Sequence, residues 1–135
     1  MRILYLSDVY FPRVNGVSTS IQTFRQELET LGHEVVVVAP DYGQPAALND
    51  RVVRIPARRV PLDPEDRLMQ SAELRQLPKR AELRDIDLVH IQTPFAAHYA
   101  GLRVAREMNV PVVATYHTFF EEYLYHYALF APRAW

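Results

Sequence analysis

Short apolar runs alternate along this chain with segments whose apolar residues recur at helical spacing. Near-continuous apolar runs are typical of strands buried on both faces of a parallel sheet, and here they occupy residues 2–7, 35–39, 87–91 and 112–116. The first intervening segment has the spacing of a helix with one buried face, at Ile21, Phe24, Leu28 and Leu31. This alternation predicts an α/β fold: a Rossmann-like three-layer domain with an open, mostly parallel sheet.

Capping signals set the expected ends of the helices. Ser18, Thr19 or Ser20 is expected to cap the first helix, and Gly32 is expected to end it, because glycine adopts the left-handed conformation without strain. A second helix is expected to open at residues 93–94, to bury Ala97, Ala100, Leu102, Val104 and Ala105, and to close at residues 110–111.

The middle and the end of the chain give weaker signals. Residues 51–62 are expected to form a third short strand with a proline-broken, extended exit. Leu68, Ala72, Leu74 and Leu77 suggest one helix ended by Pro78, and a short second helix is expected before Asp85. The aromatic-rich segment 119–135 is expected to be helical only in part.

Size and composition limit the class of protein. A chain of 135 residues is long enough for one domain with a core and too short for two. A net charge of −1 gives no argument for nucleic acid as a partner, and the lack of cysteine excludes disulfides and thiolate zinc sites. The start of the chain does not have the pattern of a signal peptide. We therefore expect a cytoplasmic protein, and its ending at "FAPRAW" suggests a piece of something longer.

The loop after the first strand is the first candidate site. Ligands of open parallel sheets bind at the carboxyl ends of the strands, here residues 8–17, 40–43, 92–95 and 117–120. The first loop has one glycine, Gly16, so it matches neither the dinucleotide fingerprint nor the Walker A loop. A single glycine at a helix start beside Asn15 still lets backbone amides approach a phosphate. The alternative is a turn glycine kept for a positive φ, and the spacing leaves both open.

His117 is the second candidate, because it follows a strand and is expected at the same edge of the sheet. Flanked by the hydroxyls of Thr115 and Thr118, it can donate a hydrogen bond to a ligand or carry a proton. A purely structural histidine is the alternative. His90, inside a strand, is expected to be a core histidine. His98 and His126 lack a carboxylate at metal-ligand spacing, so no metal site is expected.

Basic residues concentrate in one part of the chain. Nine of the fifteen Lys and Arg residues lie between positions 51 and 84, against five acids. Clustered cations beside apolar residues can lie on an anionic membrane surface, and the alternative is a solvated helix face with i,i+4 ion pairs. Arg58 and Arg59, expected outside any helix, fit that alternative least well.

Two stretches resemble a known family. "YFPRVNGVSTSIQTFRQELETLGHEVVVVAP" and "HIQTPFAAHYAGLRVAREMNVPVVATYHTFFEEY" are similar to the N-terminal domain of family-four retaining glycosyltransferases of the GT-B type. The elements that carry the resemblance are the N-G-V loop, the L-G-H-E-V junction and the T-Y-H-T rim. Extended to "TYHTFFEEYLYHY", the rim most resembles enzymes that glycosylate diacylglycerol or related membrane lipids.

The resemblance implies a function for each candidate. A nucleotide-sugar donor would lie in a cleft between two Rossmann-like domains, with its diphosphate approached by Gly16, Asn15 and Val17. His117 would contact the transferred sugar and help to stabilise an oxocarbenium-like transition state. Tyr10, Asn15 and Thr118 would lie on the acceptor side, with Arg58 and Arg59 facing the membrane. No cofactor and no obligatory metal are implied.

The chain departs from the family pattern because the C-terminal donor-binding domain is absent from residues 1–135. The resemblance therefore implies that the isolated chain is inactive, and that the full-length protein transfers a hexose to an acceptor hydroxyl, with a membrane lipid favoured. The location would then be cytoplasmic, peripheral on the inner face of the membrane. A soluble or polysaccharide acceptor, or a non-catalytic nucleotide- or sugar-binding module, is the alternative. The missing glycines disfavour an oxidoreductase.

Overall fold

The computed structural model describes residues 1–44, 51–60, 63–115 and 117. Their strands form two sheets. The larger sheet contains β1 (Arg2–Leu6), β2 (Glu34–Pro40), β3 (Val52–Ile55), β6 (Leu88–Ile91) and β7 (Val112–Ala114). The smaller is a hairpin of β4 (Ala57–Val60) and β5 (Asp63–Met69).

The helices of the described residues are three α-helices and two short 3-10 turns. The α-helices are α1 (Gly16–Thr30), α2 (Ser71–Arg75) and α3 (Ala96–Met108). The 3-10 turns are Leu77–Lys79 and Ala81–Leu83. The second of these is the short helix that the sequence predicts before Asp85.

The larger sheet has the order β3-β2-β1-β6-β7, and every neighbouring pair in it is parallel. The chain leaves β1 toward β2 on one side and later returns to the other side of β1 as β6. The strand order therefore reverses between β1 and β6, where sheets of this kind form a ligand crevice outside the carboxyl ends of their strands. The predicted open, parallel, Rossmann-like sheet is confirmed.

Two apolar clusters cover the two faces of this sheet. One contains Ile3, Tyr5, Val35 and Val37 of the sheet together with Ile21 of α1. The other packs sheet residues such as Leu4, Leu6 and Val89 against α2, α3 and the 3-10 turns. The sheet thus lies between two helical layers, so the predicted three-layer arrangement is confirmed.

The ends of α1 confirm one predicted cap and correct the other. Gly32 has φ +93°, and the amide of His33 donates to the carbonyl of Leu28, which satisfies the last turn as predicted. The N-cap is Asn15, not Ser18, Thr19 or Ser20, because its side-chain oxygen accepts from the Ser18 amide at 2.9 Å. The helix therefore begins at Gly16.

The middle of the chain differs from its prediction. The predicted helix containing Leu68 is wrong, because Leu68 lies in β5 and pairs with Arg58 of β4. The predicted extended, proline-broken exit after the third strand is confirmed, because Pro56 separates β3 from residues 57–60, but these residues also form a strand, β4, which was not predicted. The apolar spacing that suggested a helix here is coincidental. Its later residues fall in separate elements, α2 and the first 3-10 turn.

Several residues predicted to be buried are exposed. Strand β7 lies at the edge of the sheet, and Val112 and Val113 are 36% and 45% exposed, so the prediction of a buried fifth strand is wrong. It also ends at Ala114, earlier than predicted. On α1 the buried stripe is narrower than predicted, because Phe24 and Leu31 are exposed. Leu102 of α3 is exposed as well.

Helix α3 packs closely against the sheet at Gly101. A Cβ atom there would lie 2.5 Å from Cγ1 of Ile91 and 2.9 Å from its Cδ1. We expect Gly101→Val to destabilise the fold by about 1–3 kcal/mol, because a larger side chain must push the helix off β6. Thermal unfolding should show a lower midpoint, whereas Leu102→Val at the neighbouring exposed position should change it little. An unchanged midpoint for Gly101→Val would contradict this packing.

None of the described helices has the length and hydropathy needed to cross a bilayer.

Candidate functional site

The candidate site lies at the carboxyl edge of the larger sheet, where the strand order reverses. Ser7 and Asp8 follow β1, Gln92 and Thr93 follow β6, and His117 follows β7 after a short gap. The three strands are adjacent and parallel, so these side chains come together at one edge. We call Asp8, Gln92, Thr93 and His117 the edge cluster.

Asp8 joins the ends of β1 and β6 to the start of α3. The Thr93 hydroxyl donates to its carboxylate at 2.5 Å, and the backbone amides of Phe95 and Ala97 donate at 3.2 and 3.1 Å. The Asp8 amide in turn donates to the Thr93 hydroxyl at 2.7 Å. Asp8 therefore satisfies the exposed amides at the positive end of α3, although Phe95 is the formal N-cap residue.

Two opposing effects act on the pKa of Asp8. Burial raises the pKa of this carboxyl above its ordinary value and outweighs the hydrogen bonds from Thr93 and from the start of α3, which lower it. Burial therefore destabilises the charged carboxylate, and its hydrogen bonds to Thr93 and to the start of α3 offset part of that cost. Its hydrogen bonds all go to the protein's own groups among the described residues, so its role there is structural.

Gln92 links the end of β6 to His117. Its side-chain oxygen lies 2.8 Å from Nε2 of His117. The half-buried His117 ring is therefore placed at the predicted edge of the sheet, in contact with a residue that follows the neighbouring strand. Burial lowers the pKa of His117 and so favours the neutral form of the ring.

His90 lies inside β6, two residues before Gln92. Its Nε2 atom lies 2.6 Å from the Thr115 hydroxyl oxygen, and its ring meets Tyr5 edge-on at 4.9 Å between centroids. Burial, with a smaller contribution from the nearby His117, lowers the pKa of His90. His90 is thus half-buried and in contact with Tyr5 and Thr115, and it is not among the buried residues of the core clusters, so the prediction of a core histidine is not confirmed.

Gly16 lies at the open start of α1. Its φ is not positive, because the glycines with positive φ among the described residues are Gly32 and Gly43. A Cβ atom added at Gly16 would meet nothing within 4 Å. Neither turn geometry nor packing among the described residues therefore requires glycine at this position, and the turn-glycine alternative is excluded.

The first turn of α1 has amides that can receive an acceptor. The Ser18 amide donates to the Asn15 side chain and the Thr19 amide to the Asn15 carbonyl. The amides of Gly16 and Val17 have no acceptor among the described residues, as expected at a helix N-terminus. Asn15 is occupied as the cap, and Val17 is half-buried against the cluster that contains Ile21.

The structure describes two of the three predicted acceptor-side residues, Tyr10 and Asn15. Tyr10 is 5% exposed, with its ring edge-on to Phe11 and under the guanidinium of Arg54 at 5.6 Å. Its role as an acceptor contact stays a prediction. Thr118 and the aromatic segment 119–135 lie outside the described residues.

Arg58 and Arg59 are exposed residues of β4. The helix-face alternative does not apply to them, since β4 is a strand. Arg58 is paired across the hairpin with Leu68, which is 46% exposed, so a cation and an apolar side chain lie beside each other in solvent.

No group of three or more His, Asp or Glu residues within the described ranges is arranged to hold a metal ion. The groups described at this edge of the sheet are helix amides that can bind an anion and the half-buried imidazole of His117. Such a pair suits the transfer of a group from an anionic leaving group.

The sequence did not single out Asp8, Gln92 or Thr93, of which Gln92 is the functional candidate and Asp8 and Thr93 are structural. Asp8 and Gln92 directly follow predicted strands and Thr93 comes one residue later, so position along the chain indicated the correct edge. Their partners are distant, since Asp8 lies 85 positions from Thr93 and Gln92 lies 25 positions from His117. Pairings of that kind become visible only when strand order is known.

Comparison with known proteins gives consistent matches. The family model described as Glycosyltransferase Family 4 matches residues 14–135. The chain is 36% identical over 130 residues to an alpha-monoglucosyldiacylglycerol synthase of Streptococcus pneumoniae. This alignment covers 95% of the chain and 29% of the synthase. It is 33% identical over 139 residues to the enzyme of the same name from Acholeplasma laidlawii, covering 99% of the chain and 35% of that protein.

A relative with a different name matches equally well. The chain is 36% identical over 154 residues to a GDP-mannose-dependent alpha-mannosyltransferase of Mycolicibacterium smegmatis, covering 100% of the chain and 38% of that protein. The chain thus spans about a third of the length of these curated relatives. The family match includes the start of α1, the edge cluster from Gln92 onward and the predicted rim, and the chain belongs to glycosyltransferase family 4.

Proposed function

We propose that this chain is the N-terminal, acceptor-side half of a retaining glycosyltransferase that moves a hexose from a nucleotide sugar to an acceptor hydroxyl. The observation that carries the proposal is that two groups lie at the same edge of the sheet: the open amides of Gly16 and Val17, and the His117 ring held by Gln92. The C-terminal domain that would bind most of the donor lies outside residues 1–135, so these residues alone would turn over little.

The amides at the start of α1 would bind the donor diphosphate. A helix N-terminus favours an anion, both through its unpaired N–H groups and through the helix dipole. The absence of a side chain at Gly16 leaves room for phosphate oxygens to reach these amides. Asn15 would hold the first turn in place through its cap and would not use its side chain on the donor.

His117 would act on the transferred hexose. A retaining transfer that passes through an oxocarbenium-like transition state develops positive charge on the sugar ring. A protonated imidazole would oppose that charge, whereas burial lowers the pKa of His117 and keeps its ring neutral. The neutral ring can accept or donate one hydrogen bond at a sugar hydroxyl.

A lipid hydroxyl is the acceptor that we propose. Relatives from Streptococcus pneumoniae and Acholeplasma laidlawii are named for the synthesis of alpha-monoglucosyldiacylglycerol, although the mycobacterial relative is named only for its donor. The exposed pair of Arg58 and Leu68 adds a surface suited to an anionic membrane. The protein would then lie on the inner face of the membrane as a peripheral protein.

The test is hexose transfer by the complete natural protein that carries this sequence. Radiolabelled nucleotide sugars, GDP-mannose among them, would be offered with diacylglycerol vesicles and, separately, with soluble sugar acceptors. We expect a lipid-linked hexose whose anomeric configuration, read by NMR, matches that of the donor. Product formed only on soluble sugar acceptors would support a soluble acceptor and reject the proposal of a lipid acceptor. Donor binding without any product would indicate a non-catalytic binding module and reject the proposal that the protein is an enzyme.

The membrane surface has its own test in the double variant Arg58→Ser/Arg59→Ser. Each arginine near an anionic surface contributes about 1 kcal/mol, so together they should weaken binding to anionic vesicles roughly thirtyfold. Vesicle sedimentation would measure this. Arg103→Ser/Arg106→Ser removes the same charge from exposed positions on α3 and should have a much smaller effect. Equal effects of the two double variants would show that only net charge matters. The proposal that Arg58 and Arg59 face the membrane would then be rejected.

A further inference from the structure

Gln92 is a buried polar residue that the proposed reaction does not yet use. It is 4% exposed, and its amide donates to the carbonyl of Leu6 at 2.9 Å, which fixes the backbone at the end of β6 against β1. Its side-chain oxygen lies 2.8 Å from Nε2 of His117. A buried polar side chain on a rigid element is therefore aimed at the ring that we place against the hexose.

The chemistry of this contact determines where the imidazole hydrogen lies. An amide oxygen can only accept a hydrogen bond, so Nε2 of His117 must carry the hydrogen and donate it. In the neutral ring, Nδ1 then keeps its lone pair. The identity of the hydrogen-bonding partner on one nitrogen in this way sets what the other nitrogen can do.

His117 needs such a restraint because of its position in the chain. Strand β7 ends at Ala114, so His117 lies beyond the last ladder hydrogen bonds of the edge strand. Among the described residues, Gln92 is the hydrogen-bond partner of the His117 side chain. Nε2 of the neighbouring His90 lies near the Thr115 hydroxyl oxygen, at 2.6 Å.

We propose that Gln92 is a positioning residue whose side-chain oxygen holds His117 as the Nε2–H tautomer and leaves Nδ1 to accept a hydrogen bond from the transferred hexose. The proposal rests on the proposed contact of His117 with that sugar. It adds the atom through which the contact is made and the residue that selects it. The fixed orientation also removes a ring rotation that would otherwise be lost during the reaction.

The tautomer can be measured without any assay of activity. Two-bond proton–nitrogen NMR correlations of the complete natural protein, labelled with nitrogen-15 histidine, distinguish the two neutral tautomers, and His117→Gln identifies the signal. We expect the Nε2–H tautomer in the parent. Gln92→Leu should give a mixture or the Nδ1–H form. Gln92→Glu keeps an acceptor oxygen, but its carboxylate raises the pKa of His117, so this variant should show Nε2–H at a pH high enough to deprotonate the ring. An Nδ1–H ring in the parent would overturn the proposal even if every variant failed to fold.

Kinetics provide the second measurement. Gln92→Leu should lower kcat roughly tenfold with little change in the KM for the donor, because the ring is misplaced and the donor diphosphate site is untouched. Gln92→Glu should recover part of the loss only at a pH high enough to keep the His117 ring neutral, because the carboxylate raises the pKa of that ring. Gln22→Leu makes the same substitution at an exposed position of α1 and should leave both constants unchanged. A raised KM with parental kcat would show that Gln92 serves binding, and would overturn the positioning role.

The two proposals fail in different ways. If His117→Ala retains the parental rate, the proposed function of the ring is wrong, whatever its tautomer. If His117→Ala loses activity while Gln92→Leu leaves both the tautomer and kcat unchanged, the function stands and Gln92 has no positioning role.

Discussion

Replacing His117 with alanine in the complete natural protein is expected to lower kcat/KM for hexose transfer by roughly two to three orders of magnitude. A side chain that makes a hydrogen bond to the reacting group in the transition state contributes on that order. Burial lowers the pKa of His117, so the acid limb that its protonation gives to the parental pH profile should lie below 6.5. Initial rates with a radiolabelled nucleotide sugar across pH would measure both effects.

His33→Ala is the matched control for this change. His33 precedes β2 at the opposite, amino edge of the sheet, where its ring lies 3.0 Å from the N-terminal amine. The same substitution there should leave turnover near the parental rate. The proposed role of His117 would be rejected if its alanine variant kept parental kcat/KM, or if both variants lost activity equally.

Gly16→Val is expected to weaken donor binding by roughly tenfold to a hundredfold while leaving the fold intact. The chain itself has room for the side chain, since a Cβ at Gly16 meets nothing within 4 Å and φ is not positive there. The added methyl groups would instead occupy the space in front of the first-turn amides. Charge-assisted hydrogen bonds lost there contribute about 1.5–3 kcal/mol each. Calorimetric titration with the nucleotide sugar would measure the change in affinity.

Gln22→Val separates donor binding from a general effect on the helix. It introduces the same β-branched residue at an exposed position of α1, away from the first turn. Its affinity for the donor should equal that of the parent, and the thermal midpoints of both variants should be close. Parental donor affinity in Gly16→Val would remove the start of α1 from the donor site.

The parallel sheet could be predicted from the sequence because its strands are buried on both faces. Near-continuous apolar runs mark β1, β2 and β6, and Gly32 marks the end of α1 because a left-handed residue is needed there. Strand β7 has the same apolar character, but its exposure depends on its place at the edge of the sheet. Whether a strand lies at the edge or in the centre of the sheet depends on strand order, and the local pattern of apolar residues does not encode strand order.

The hairpin was missed for a physical reason. Its first strand carries Arg58 and Arg59, so it lacks the apolar run of a buried strand. Its second strand holds Leu68 at a spacing from Leu74 and Leu77 that also fits a helix. The pairing of β4 with β5 decides between these, and it depends on contacts that apolar spacing cannot show.

The candidate site was predictable in position and not in detail. Gly16 and His117 could be named because each stands at the end of a predicted strand or the start of a predicted helix. The side chains that hold this edge together, Asp8 with Thr93 and Gln92 with His117, are paired across strands far apart in the chain. Their roles follow from three-dimensional proximity.

The central claim is that the first turn of α1 and His117 act on one bound nucleotide sugar. NMR titration of the complete natural protein with that donor tests it directly, by following the backbone amides of Gly16 and Val17 together with the His117 ring. All three signals should shift along one binding curve with a single Kd. A donor that binds without moving the Gly16 and Val17 amides, or that shifts them while the His117 ring stays unchanged, would contradict it.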